Sequence, residues 1–146
     1  MTKRRPAFRE LSRDESEKVL ARNHVGRIAF TFHDHVDIEP IHYVYEQGWI
    51  YGRTSPGAKL ATIAHHRWVA FEVDEIRDHF DWQSVVVKGA FYMLDADDPS
   101  AEFVHGAGLL RGLVPESFTA TDPAAFRGAV FRIPLDQVTG RAASTT

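Results

Sequence analysis

Residues 36–54 decide the fold class of this chain. Residues 36–46 read V-D-I-E-P-I-H-Y-V-Y-E, Gln47 and Gly48 follow, and residues 49–54 read W-I-Y-G-R-T. Apolar and polar residues alternate in both runs, which is the period of a half-buried strand. Gln47-Gly48 has the composition of a tight hairpin turn. The stretch therefore predicts two consecutive antiparallel strands.

Strand-like runs continue on both sides of this hairpin, and three helical patterns interrupt them. Ser12 followed by Glu15 has the spacing of a helix capping box. Five acidic residues accompany Arg77 between positions 72 and 81, where we expect a solvated loop. Antiparallel strands with short helices between them predict a mainly β fold with short helices, arranged as a small barrel. The further predicted strands cover residues 27–33, 68–73, 84–94 and 129–135. The first predicted helix is capped by Ser12 and ends near His24 and Gly26, and the other two helices cover 58–66 and 97–114.

The length and composition limit the classes of protein to consider. A chain of 146 residues with 44% hydrophobic residues is typical of one domain with a buried core. We predict a single domain over residues 1–146, with an N-terminal arm at 1–10 and a disordered tail at 142–146.

Charge and cysteine content exclude several chemistries. A net charge of −3 lacks the basic footprint of a dedicated nucleic-acid binder, so we expect no nucleic-acid partner. The absence of cysteine excludes disulfides and thiolate metal sites, and no histidine spacing matches a metal motif. No apolar run approaches the length of a membrane span, and no signal peptide is evident. We therefore expect a cytoplasmic protein without a metal or a membrane partner.

The stretch Y-G-R-T-S-P-G-A-K-L at 51–60 predicts an anion site. A strand ends here and a helix begins near Gly57, and free backbone N–H groups at a helix start attract anions. Ser55 adds a hydroxyl donor, and Arg53 and Lys59 add positive charge. The spacing is not that of a P-loop. The local spacing leaves two interpretations open: a phosphate held in this loop, or an ordinary Pro-Gly turn between two solvated cations.

Two other stretches could contact a planar ligand. Pro40 interrupts a strand pattern, which places it at an edge or bulge, and Ile41, His42 and Tyr43 follow it. The alternative is a sheet edge that the proline protects from aggregation. In the stretch 82–89, W-Q-S-V-V-V-K-G, Ser84 lies at the start of a strongly apolar strand. The alternative interpretation of Ser84 is an ordinary strand start. No G-x-S-x-G elbow occurs, so Ser-His-Asp hydrolysis is set aside.

Together these stretches resemble the pyridoxamine 5′-phosphate oxidase-like flavoproteins, and most nearly the branch that includes the nitroimidazole-resistance proteins. Their order and spacing along residues 8–141 carry the resemblance. The matching motifs are P-I-H-Y at 40–43, G-A-K-L at 57–60, V-A-F-E-V-D at 69–74, W-Q-S-V-V-V-K-G at 82–89, F-R-I-P-L at 131–135 and V-T-G-R at 138–141.

The resemblance implies a split β-barrel homodimer with FMN in each of two clefts at the subunit interface. Residues 41–43 would flank the isoalloxazine ring, and the loop that contains Lys59 would lie along the ribityl phosphate. Ser84 and Val85 would add polar and backbone contacts, with Trp82 nearby. The expected cofactor-binding residues are Pro40, Ile41, His42, Tyr43, Gly52, Arg53, Ser55, Lys59, Trp82, Ser84 and Val85.

The resemblance also implies an FMN-dependent oxidoreductase or flavin reductase that uses a small-molecule electron donor and acceptor. The flavin would carry the hydride chemistry, so no side chain is required as acid or base, and His42 is the candidate for tuning it. Ala58 stands before Lys59 where the oxidase has an Arg-Lys pair, and the oxidase's C-terminal substrate segment has no counterpart. Oxidation of pyridoxamine phosphate is therefore not expected. The alternatives are a non-catalytic protein that binds or senses FMN or haem, and a deazaflavin (F420)-dependent reductase on the same barrel.

Overall fold

The computed structural model describes residues 5–32, 34–55, 67–97 and 101–145. Within these ranges, short helices accompany a predominantly β architecture. The predicted helix at 58–66 lies outside the described residues. The elements are β1 Pro6–Leu11, α1 Arg13–Arg22, β2 Val25–Phe32, β3 His35–Glu46, β4 Trp49–Thr54, β5 Trp68–Asp78, β6 Asp81–Ala90, β7 Tyr92–Leu94, α2 Ala101–Leu113, β8 Ala129–Pro134 and β9 Gln137–Thr145.

The strands form one curled antiparallel sheet, in the order β1-β9-β6-β5-β2-β3-β4-β8-β7. The architecture is a split β-barrel, which confirms the expected fold class. Alternate side chains point into the barrel, where Tyr43, Phe71 and Val85 are fully buried. Helix α1 adds Val19 and Leu20 to the same core. Within the described ranges, neither helix is long and apolar enough to span a bilayer.

Two local predictions are confirmed in detail. Gln47 and Gly48 both have positive φ, at 47° and 85°, which is the conformation of a type I′ turn between the twisted strands of a hairpin. Glu15 N donates to Ser12 Oγ at 3.1 Å, and Ser12 N donates to Glu15 Oε1 at 3.1 Å. Together these two bonds form the capping box that begins α1.

The expected acidic loop at 72–81 is wrong, because β5 continues to Asp78 and pairs with β6 up to Asp81. Arginines from neighbouring elements form ion pairs that offset the negative charge of this strand. Glu75 pairs with Arg22 at 2.6 Å, and Glu72 pairs with Arg27 at 3.2 Å.

The expected disordered tail at 142–146 is wrong over residues 142–145, which belong to β9 and pair with β1. Ala142 and Ala143 are buried, so small residues that carry little hydrophobic signal hold this strand in place. Residues 6–10 of the expected arm are part of β1. The predicted strand 84–94 is interrupted at the buried Phe91, where β6 ends and β7 begins.

The outer surface of the sheet has two unlike faces. The covered face comprises the outward side of β4, β7 and β8, over which α2 and residues 114–128 pack around Tyr51, Leu110 and Val130. The open face comprises the outward side of β2, β5 and β6 and of residues 35–42 in β3. Two of its apolar side chains, Val36 and Ile38, are 79% and 61% exposed.

Candidate functional site

The open face brings two distant sequence motifs together. Along one cross-strand row, Pro40 lies opposite Arg27, Arg27 lies opposite Glu72, and Glu72 lies opposite Val86. His42 is two residues from Pro40 on β3, and Ser84 is two residues from Val86 on β6, so both share this face. Trp82 also lies on it, two residues before Ser84. The sheet order thus places four of the predicted site residues on one face: Pro40, His42, Trp82 and Ser84.

A polar cluster lies between the two motifs. Arg27 Nη1 is 3.2 Å from Glu72 Oε1 and 3.3 Å from Asp74 Oδ2. Ser84 Oγ donates to Glu72 Oε2 at 3.3 Å. Burial, followed by the neighbouring Asp74, raises the pKa of Glu72 above its usual value. The centre of the open face therefore holds a carboxyl that keeps its proton to a higher pH than an ordinary glutamate.

Three predicted site residues turn their side chains the other way. Ile41, Tyr43 and Val85 lie in the core. Tyr43 Oη donates to Leu20 O at 2.7 Å, and burial raises the pKa of this phenol. A ligand on the open face would meet only the backbone at these positions, so the structure does not place the side chains of Ile41 and Tyr43 against it.

The predicted phosphate loop is only partly described. Gly52 is buried, and a Cβ there would lie 2.5 Å from the ring of Phe131, so close packing requires glycine. Ser55 is exposed directly after β4. Lys59 lies outside the described residues.

Arg53 is buried and already has partners on the covered face. It donates to both carboxylate oxygens of Asp122, at 2.7 and 3.3 Å, and to the carbonyls of Ala124 and Arg127, at 2.8 and 2.7 Å. Its guanidinium also stacks over Phe118, 4.3 Å from the ring centroid. The bond from Arg53 lowers the pKa of Asp122 to about 2. Arg53 thus anchors residues 114–128, and its charge is not directed toward a surface phosphate.

An open groove of about 460 Å³ borders the polar cluster. Its aromatic wall is Trp82 and Phe8, whose ring centroids are 6.4 Å apart. Arg141, on β9, lies directly opposite Ser84. The groove therefore continues the open face toward the edge of the sheet. It is lined by Phe8, Arg9, Glu10, Trp82, Arg141 and Ala142.

Sequence reasoning missed Arg27, Glu72 and Asp74 as site residues. Strand alternation carries a signal for the two carboxylates, because 72 and 74 fall out of phase with the buried Val73. Phe8 was missed because residues 1–10 were expected to be an arm. Arg141 lies in the V-T-G-R motif at 138–141 but was not assigned to the site. In the described part of the chain, no group of three histidine, aspartate or glutamate side chains is arranged to hold a metal ion.

Comparisons with known proteins place these features in a family. The pyridoxamine 5′-phosphate oxidase family matches residues 12–142. An uncharacterised protein of Rhizobium meliloti strain 1021 is 29% identical over 147 residues, covering 92% of this chain and 95% of that protein. The crystal structure of an FAD-binding protein from Mesorhizobium loti has 29% identity and a TM-score of 0.75, covering 95% and 98% of the two chains.

A more distant structural relative shares the fold. The structure of a candidate 5-nitroimidazole antibiotic resistance protein from Bacteroides thetaiotaomicron is 17% identical, with a TM-score of 0.71. The match covers 96% of this chain and 89% of that one. At this identity, the likeness concerns the fold alone.

Proposed function

This chain belongs to the pyridoxamine 5′-phosphate oxidase family, and we propose that it is a flavoprotein that holds a flavin nucleotide against the open face and uses it as an oxidoreductase. The flavin, when bound, supplies the hydride and electron chemistry. The residues of this chain bind the flavin, orient it and keep water from it.

One observation carries the proposal: the open face joins Pro40, His42 and Ser84 around a half-buried polar cluster on a largely apolar surface. Ligand sites characteristically combine apolar walls with a few precisely placed polar groups. Val25 lies opposite His42, Ile38 is two residues from Pro40 on the same face, and both apolar side chains are exposed. A flat, fused ring with polar edges fits this surface.

We propose FMN as the nucleotide, with Lys59 and Ser55 at its phosphate. Arg53 is left out of the phosphate site because its guanidinium is paired with Asp122. FAD contains the same ring, ribityl chain and first phosphate. The relative from Mesorhizobium loti is described as an FAD-binding protein, which supports a flavin in general. Chromatography of the cofactor released from purified protein distinguishes the two, and FAD alone in the eluate would replace FMN in the proposal.

The working unit in this proposal is a homodimer with a flavin at the subunit interface. The open face exposes apolar side chains that a monomer would leave in water, and exposed apolar patches mark interaction sites. Two-fold symmetry is the commonest way to cover such a face.

Ile38→Glu tests the dimer, because it places a charge on the open face. We expect a monomer in sedimentation velocity and a loss of bound flavin. Val104→Glu is the matched control, since Val104 is 68% exposed on α2, away from that face, and this variant should remain dimeric. A wild-type monomer at micromolar concentration with flavin bound would contradict the interface site.

Turnover separates an oxidoreductase from a binding protein. We expect the purified protein to show the absorbance of oxidised flavin, which also distinguishes it from haem and deazaflavin. NADH or NADPH should bleach this absorbance in stopped flow, and a quinone or nitroaromatic acceptor should restore it. If dithionite bleaches the flavin and neither nicotinamide does so within minutes, the nicotinamide-dependent activity is wrong and the binding function takes its place.

A further inference from the structure

The polar cluster at the centre of the open face has an unbalanced charge. Two carboxylates share one guanidinium, since Arg27 Nη1 is 3.2 Å from Glu72 Oε1 and 3.3 Å from Asp74 Oδ2. The single positive charge offsets only one of the two negative charges. The cluster therefore carries one net negative charge when both carboxyls are ionised, and none when one of them is protonated.

Glu72 is the carboxyl that takes up this proton. It is two residues from Asp74 on β5, and two like charges that share a site disfavour ionisation of one of them. The side chain of Glu72 is only 30% exposed, so burial also opposes its charge. Burial is the larger cause and Asp74 the next, and both raise the pKa of Glu72.

The immediate neighbours of the pair do not add another charge. On β6, Val86 lies opposite Glu72 and Ser84 lies opposite Asp74. On β2, Arg27 lies opposite Glu72. Ser84 Oγ is 3.3 Å from Glu72 Oε2, but a serine is neutral in either direction of that bond. The ionisation of Glu72 is therefore governed by burial, Asp74 and Arg27.

Other titratable or charged groups lie further from Glu72. Helix α1 packs on the opposite side of β5, where Arg22 is already paired with Glu75. In the described part of the chain, the next such side chains of the open face occupy cross-strand positions beyond the cluster; they are His42, Lys88 and Arg141. One proton on Glu72 thus decides whether the centre of the face is negative or neutral.

We propose that Glu72 makes the redox preference of the bound flavin depend on pH, its ionised form favouring the oxidised flavin. A hydride from a nicotinamide donor carries two electrons and one proton, and the donor is left with one more positive charge. The flavin ring then gains one negative charge when no second proton follows. A negative cluster under the ring opposes this gain, because like charges repel across a surface of reduced dielectric.

This electrostatic effect requires only that the ring lie over the cluster, and it needs no particular hydrogen bond. Pro40, His42 and Ser84 surround the cluster on the open face, which is where the proposed function places the flavin. The inference therefore rests on that function and adds to it a residue that tunes electron transfer.

Glu72→Gln tests the effect, because it keeps the size of the side chain and removes its charge. Two unit charges about 8 Å apart near a protein surface change an equilibrium constant by about 3- to 30-fold, or about 14–44 mV for a two-electron couple. At pH above the pKa of Glu72, the midpoint potential of the variant should exceed that of the wild type by this amount. The two potentials should converge as the pH falls through that pKa.

Glu102→Gln is the matched control. Glu102 is on α2, over the covered face, and its side chain is 55% exposed. This variant loses the same charge and should keep the wild-type potential at every pH. If Glu72→Gln leaves the potential unchanged, or if both variants shift it equally, the tuning role of Glu72 is wrong.

The wild type offers a second measurement that needs no variant. Because coupling between two binding equilibria is reciprocal, reduction of the flavin must raise the pKa of Glu72 by the same factor that Glu72 lowers the affinity for the reduced ring. Carboxyl-carbon NMR of the holoprotein before and after reduction by dithionite measures this shift. An identical pKa in the two states overturns the proposal.

A measurement without flavin separates this inference from the proposed function. Asp74 raises the pKa of Glu72 and Arg27 lowers it. In the apoprotein, Asp74→Asn should therefore lower that pKa, and Arg27→Met should raise it. If neither variant moves it, the cluster is not coupled and the inference is wrong even if flavin binds. If both move it and the protein binds no flavin, the proposed function has failed and the tuning role fails with it. If both move it, flavin binds and Glu72→Gln leaves the potential unchanged, only the tuning role is wrong.

Discussion

The covered and open faces of the barrel are built from the same alternating strands but differ in what packs on them. On the covered face, Tyr51 and Val130 lie under α2 and are buried. On the open face, Val36 and Ile38 remain exposed, although they occupy equivalent outward positions. The difference comes from α2 and residues 114–128, which follow β7 and cover only the strands near it. One face of the sheet therefore contributes to stability through packing, and the other remains accessible to a ligand or a second subunit.

Replacing Arg53 on the covered face and Arg27 on the open face tests this comparison. Arg53→Met should cause the largest loss in the free energy of unfolding. Arg53 is 8% exposed, and removing one partner of a buried ion pair lowers the free energy of unfolding by about 3–5 kcal/mol. Urea denaturation measures this loss.

Arg27→Met is the matched control on the open face. The side chain of Arg27 is 44% exposed, and half-exposed ion pairs contribute about 1 kcal/mol or less. We expect little change in its urea midpoint and a weaker affinity for flavin. A larger loss of stability for Arg27→Met than for Arg53→Met would contradict the division between the faces.

Two neighbours on β3 repeat the comparison within one strand. Tyr43 points inward, and its hydroxyl satisfies Leu20 O in the last turn of α1, where helix carbonyls lack partners in the helix. Tyr43→Phe should lower the free energy of unfolding by about 1–3 kcal/mol, because a buried carbonyl loses its donor.

His42→Ala should show the opposite profile. His42 is exposed on the open face, so its removal should leave the urea midpoint unchanged and weaken flavin binding in a titration of the apoprotein. Equal affinities for wild type and His42→Ala would remove His42 from the site, and a stable Tyr43→Phe variant would show that the carbonyl finds water instead.

Local patterns predicted the parts of the fold that depend on near neighbours. The hairpin at Gln47-Gly48 and the capping box at Ser12 were both predictable, because turn and cap chemistry are set by two to four adjacent residues. The alternation in β3 also placed Pro40 and His42 on one face.

Long-range partners were not predictable in the same way. Arg53 was expected at the flavin phosphate because Asp122, its partner in the structure, lies 69 residues away in the sequence. Residues 72–81 resembled a loop because the arginines that offset their charge come from α1 and β2. Alternation gave the direction of the side chains, but tertiary contacts decided which charges were free to meet a ligand.

The two faces should also differ in how their stability responds to pH. The folded-state pKa of Asp122 is lowered to about 2 by its bond with Arg53, against about 3.9 in an unfolded chain. Asp122 therefore contributes stability above pH ~4 that is lost as pH falls toward 2. Asp122→Asn should flatten this acid limb of the stability curve.

Glu72 on the open face should have the opposite sign. Its folded-state pKa is raised by burial and by Asp74, so the folded protein holds this proton more tightly than the unfolded chain, whose glutamates titrate near pH ~4.3. The stability from Glu72 is present below that value and is lost as pH rises through the folded-state pKa. Urea denaturation of wild type, Asp122→Asn and Glu72→Gln between pH 2.5 and 7 separates the two limbs, since each variant should flatten only its own. If Glu72→Gln changed the acid limb instead, Glu72 would be an ordinary ion-paired carboxylate, and the open face would lose the proton-holding group that distinguishes it from the covered one.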